Sequence, residues 1–199
     1  MTIFRRGAPV RRRPPAWQTA VLLVMSLGIS GYALRANDRI FRAASVARLT
    51  SASPLIIDGD TIRINGVPIR IIGIDAPDTE PMRRLSGDHL RRLAVRDGGI
   101  TCSVDLFAKL TSANPCRTPA TSYGRDNLSC VFNRNGADVA ATMAAHGYAV
   151  DYHVFSDGVY RPAALAAASA HRGLWSRYYP AMAALSNRRA TVRDRKCGR

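Results

Sequence analysis

Between Leu55 and Ile74 the chain alternates short apolar runs with two tight-turn signals, Asp58-Gly59-Asp60 and Asn65-Gly66. Asn-Gly is the dipeptide best suited to a two-residue hairpin, because both positions accept positive φ. A segment that turns twice in so short a span cannot hold a long helix. It predicts a meander of strands over 55–57, 61–64 and 67–74. Further on, 100–107 and 127–133 read as strands, and 108–122 as a loop. Ser86 is placed to cap a helix that ends at Gly98-Gly99, and 138–146 and 160–172 read as helices stopped by Gly147 and Gly173. Five short strands interleaved with about three helices predict an α+β fold with a small five-stranded barrel.

Charge divides the chain further. The net charge of +15 sits in the ends. Residues 1–50 hold nine arginines and one aspartate, and residues 183–199 hold six basic residues and one aspartate. The body between them is close to neutral, so the basic balance is not a basic groove. Residues 1–13 carry five arginines, and residues 14–34 carry no charge. That pattern predicts either an uncleaved transmembrane signal-anchor or a cleaved signal peptide. The length of the apolar stretch favours the anchor. Residues 35–51 then read as a polar linker and 179–199 as a basic C-terminal tail. The body is thereby expected outside the cytoplasm, on the periplasmic or extracellular side of the cell membrane, or secreted. Cys102 and Cys130 lie in two consecutive predicted strands, and export makes a disulfide between them reasonable. The pairing of Cys116 and Cys197 stays open.

Three motifs carry chemistry. Asp58-Gly59-Asp60-Thr61 places carboxylates on a tight turn, where they suit a hard divalent cation. Arg70 stands inside an apolar strand and needs an anionic partner there. Strict alternation puts Arg70, Ile72 and Ile74 on one face, and Ile71, Gly73 and Asp75 on the other. Asp75-Ala76-Pro77-Asp78 leaves the strand through a proline-fixed turn, so that Asp60 and Asp75 can share one ion. Tyr123-Gly124-Arg125 sets an arginine and an aromatic ring beside a glycine, a combination that suits a phosphate and a stacked base.

The order and spacing of these motifs, followed by Gly173-Leu174-Trp175, resemble the thermonuclease family, the staphylococcal-nuclease-like domain, over residues 52–178. The resemblance implies an OB-fold barrel and calcium-dependent hydrolysis of DNA and RNA to 3′-phosphate ends, by a protein expected to be monomeric. It implies Asp60, Asp75 and the Ala76 carbonyl as Ca²⁺ ligands. Arg70 and Arg125 match the pair that grips the scissile phosphate, and Tyr123 and Tyr152 match the residues beside the nucleotide. The chain departs from the family at Asp78, where a glutamate acting on the water is usual. Glu80, two residues on, is the alternative base. If neither serves, the domain is a catalytically impaired OB-type module that binds nucleic acid or a protein of the cell envelope.

Overall fold

Period-2 apolar patterning makes the strands, and glycines and prolines end them. The structure, a computed structural model, describes residues 48–104 and 121–191, all within one unit, Val46–Arg199. Strands β1 (Arg48–Ser51), β2 (Leu55–Ile56), β3 (Thr61–Ile64), β4 (Val67–Ile71) and β5 (Ile74–Asp75) precede helix α1 (Met82–Arg96). Then come β6 (Ile100–Ser103), β7 (Thr121–Ser122), β8 (Arg125–Phe132) and helix α2 (Val139–Ala145). The last elements are β9 (Val150–Asp151), α3 (His153–Ser156), α4 (Arg161–Ser169), a 3-10 turn (Gly173–Ser176) and α5 (Tyr179–Thr191). The fold is α+β, as expected.

The main sheet runs β1-β6-β8-β4-β3-β2, with β7 paired to β8, and β5 pairs separately with β9. All pairings are antiparallel except β4 with β8. The two ends of this order, β1 and β2, are separated in the chain only by Ala52-Ser53-Pro54. The sheet is therefore curled, its first and last strands following one another in the chain. Ile62, Ile64, Ile69, Ile71, Leu128 and Phe132 fill the curl, and α1 closes it with Leu90, Leu93 and Ala94. A second cluster, with Trp175, Val150, Ala167, Met182 and Leu185, fastens the C-terminal helices.

The elements depart from the sequence reading at several places, among them Thr121–Ser122, a strand inside the expected loop. The expected linker ends early, because Arg48–Ser51 is a strand paired with β6. Helix α1 starts at Met82 after Pro81, not at Ser86. Ser86 is buried inside it and donates to the Tyr148 carbonyl at 2.7 Å, so its hydroxyl is not a cap. The strand over 67–74 breaks at Gly73, whose φ of +88° is open to glycine and strained for other residues. A Cβ there would also lie 2.5 Å from the Tyr160 ring. Finally, the expected tail is helical as far as Thr191, with Met182 and Leu185 buried. The described residues thus hold five α-helices, where about three were expected.

The disulfide between Cys102 and Cys130 is formed, and these residues are direct cross-strand partners of β6 and β8. Cys116, Cys197 and the expected membrane segment 14–34 lie outside the described residues. Among the described residues no helix is long and apolar enough to cross a membrane.

Candidate phosphodiester site

The site is built where α1 presses on the turn between β2 and β3. Gly59, Ser86 and Gly87 let the two backbones approach closely. A Cβ on Gly59 would lie 1.8 Å from the Ser86 hydroxyl, and one on Gly87 would lie 3.2 Å from the Asp58 Cα. This contact buries Asp58 and Asp60. Asp58 Oδ1 accepts the Asp60 N–H at 3.2 Å, which fixes the turn.

Arg70 comes from β4 and lies directly across from Thr61 in the ladder. It finds the anionic partner its sequence position demanded, and finds it twice. Nη1 donates to Asp60 Oδ1 at 2.8 Å, and Nη2 donates to Asp75 Oδ1 at 2.5 Å. The expected alternation would have sent Arg70 and Asp75 to opposite faces. The break at Gly73 resets the phase, and β5 returns Asp75 to the Arg70 side. Asp60 Oδ2 also accepts the Ala76 N–H at 2.7 Å, so the turn after β5 is tied to the turn before β3.

Arg125 joins the same network through Thr61. Its Nη1 donates to Thr61 Oγ1 at 3.0 Å, and that hydroxyl donates to Asp60 Oδ1 at 2.9 Å. The positive-φ pair Tyr123-Gly124 turns β7 into β8 and leaves Tyr123 96% exposed. The Arg125 guanidinium lies 5.8 Å from the centre of that ring. Arg70, Arg125, Asp75, Asp78 and both tyrosines, 123 and 152, line one cavity of about 700 Å³. Tyr152 packs edge-on to Phe155. Asp78 and Glu80 are both exposed, and of the two only Asp78 lines the cavity.

Electrostatics follow from this packing. Burial pushes the Asp60 carboxyl up to about 7, against the pull of Arg70, with Asp58 and Asp75 adding to the rise. Burial works against the Arg70 charge too, but the Asp60 and Asp75 carboxylates outweigh it and hold its pKa above the ordinary arginine value. Asp60 and Asp75 are both ion-paired with Arg70. The donors at hand are all oxygen: Asp60, Asp75 and the Ala76 carbonyl. Such a set fits Ca²⁺ better than a softer metal. Among the described residues no group of three or more His, Cys, Asp or Glu forms a ligand cluster.

Sequence reasoning missed one residue of the site. Arg189, from the expected tail, lines the cavity and bonds Asp75 Oδ2 through Nε at 2.7 Å. Its signal was the i, i+3, i+7 spacing of Met182, Leu185 and Arg189, which marks one helical face.

No family model matches the chain. Over 123 residues it is 32% identical to the succinoglycan biosynthesis protein ExoI of Rhizobium meliloti (strain 1021). The match takes in 60% of this chain and 61% of that protein, so the chain spans less than two-thirds of the relative's length.

Proposed function

We propose that this protein is a calcium-dependent nuclease that hydrolyses phosphodiester bonds of DNA and RNA, built on an OB-type barrel of the thermonuclease kind. One observation carries the reading: Arg70 is fastened between two buried aspartates, and Arg125 joins them through Thr61 at the wall of one cavity. The barrel reading is supported by the strand order. Taking β1 and β2 as one bent strand leaves five strand paths that close on themselves.

Each part of the site has a task. The Arg70 and Arg125 guanidiniums bind the scissile phosphate and meet the charge that develops on it. Bound Ca²⁺ would add Lewis-acid stabilisation of that charge. Asp60, Asp75 and the Ala76 carbonyl would hold it. Asp78 orients the attacking water and takes its proton, because it faces the cavity and Glu80 does not. Tyr123 and Tyr152 present rings to the bases. The body is read as exported, on a membrane anchor or as a secreted monomer, with nucleic acid as its partner.

One feature favours a second reading, an envelope module that binds nucleic acid or a protein without cutting: the shorter Asp78 side chain where a glutamate is usual. The test is incubation of the full chain with end-labelled single-stranded DNA and RNA, in millimolar Ca²⁺ or in EGTA. Fragments with 3′-phosphate ends, in Ca²⁺ alone, are expected. Strands that are bound and remain intact under both conditions would establish the second reading instead.

A further inference from the structure

Asp75 spends both of its oxygens on guanidiniums. Oδ1 accepts from Arg70 on β4, and Oδ2 accepts from Arg189, which is 114 residues away in the chain. Arg189 is no stray surface charge. The face of α5 that buries Met182 and Leu185 also delivers Arg189 to the cavity. Its guanidinium lies 4.5 Å from the centre of the Tyr152 ring, and Nη1 donates to the Tyr152 hydroxyl at 3.4 Å. The side chain is 26% exposed, against 3% for Asp75. A charge held at this distance in a partly desolvated pocket acts strongly on its neighbours.

We propose that Arg189 is a built-in counter-cation of the site, and that a divalent cation has to displace it from Asp75 in order to bind. The proposal rests on the reading of Asp75 as a cation ligand. A divalent ion that uses Asp75 meets the Arg189 charge across a single carboxylate, and the two repel. Arg70 cannot be the part that yields, because it is anchored on Asp60 as well and is the more buried of the two arginines. Among the described residues Arg189 has one carboxylate partner, and it has an aromatic face on which to remain when that partner is taken. The C-terminal helix thereby sets the cation affinity of a site formed by the opposite part of the chain.

Calcium titration calorimetry on the full chain separates the possibilities. Wild type, Arg189→Gln, Arg189→Lys and Asp75→Asn are compared, with circular dichroism melts in EGTA and in Ca²⁺. Arg189→Gln is expected to bind Ca²⁺ at least tenfold more tightly than wild type and to show the larger rise in Tm on adding Ca²⁺. Arg189→Lys keeps the charge and is expected to stay near wild type. Asp75→Asn is expected to weaken binding at least tenfold. If Asp75→Asn weakens binding while Arg189→Gln equals wild type or falls below it, the counter-cation proposal is wrong and the ligand reading stands. If Asp75→Asn leaves Ca²⁺ binding unchanged, or none of the four proteins binds Ca²⁺, Asp75 is not a ligand and both fail.

Discussion

At the scale of single residues, Asp78 and Glu80 are both exposed, and only Asp78 lines the cavity, which is the ground for proposing it as the base. A positioned general base contributes roughly 10²–10⁴-fold to a rate. Asp78→Ala is therefore expected to lower kcat by at least about 10²-fold, and Glu80→Ala to stay within a factor of about three, with kcat read from initial rates of strand cleavage. Comparable losses in both variants would contradict the assignment. His89 makes a second residue-scale case. Its ring stacks on Tyr148 at 3.9 Å, and its Nε2 lies 2.9 Å from His146 Nδ1. Burial pushes its pKa down to about 4, with His146, Arg92 and Arg96 pushing the same way. His146 is lowered as well, by burial and by Arg96 and Arg172. A histidine lowered on folding contributes stability that is present above its unfolded pKa and lost as pH falls through the folded one. The His89 contribution thus falls between about pH 6.5 and pH 4, while the raised Asp60 carboxyl acts the other way over the same range, so the expected readout is a pH slope of Tm in His89→Gln that differs from wild type across that window. An unchanged slope would remove His89 from the account.

At the scale of elements, the structure turns on how α5 and β5 are held. Met182 is fully buried against Trp175 and Val150. Met182→Ala is expected to cost about 2–5 kcal/mol of stability, read by denaturant unfolding. A loss below about 0.5 kcal/mol would mean that α5 is loosely attached. The sequence reading found β3 with its bounds intact and the Asn65-Gly66 turn that follows it, because both are local signals. It failed where long-range packing overrides a local signal. Ser86 has the chemistry of a cap, yet close contact with the Asp58-Gly59-Asp60 turn draws it into the helix interior. Gly73 was legible as a glycine inside a strand, but its positive φ, and the phase shift that brings Asp75 to Arg70, depend on the Tyr160 ring packed beside it. The basic residues of α5 masked its apolar face, so Arg189 went unread. Arg70, Asp60 and Asp75 were legible because an arginine in an apolar strand and carboxylates at strand ends need one another.

At the scale of the whole molecule, a curled sheet and two hydrophobic clusters bring distant segments to one cavity. The end of β4 supplies Arg70 to its lining, the β7–β8 hairpin supplies Tyr123 and Arg125, and α5 supplies Arg189, while Asp60, from the turn after β2, holds Arg70 without lining the cavity. The disulfide joins β6 to β8 within the same sheet. The central claim is that these converging charges hydrolyse a phosphodiester with a divalent cation. Its most direct test is kcat/KM for single-stranded DNA in Ca²⁺ and in EGTA, for wild type, Asp60→Asn and Arg70→Lys, with melts to confirm that each is folded. Lysine cannot reproduce the two-armed bridge that Arg70 makes. Cleavage that requires Ca²⁺ and falls at least about 10²-fold in each folded variant is the predicted result. Folded variants that cleave within about threefold of wild type, or cleavage that persists in EGTA, would contradict it.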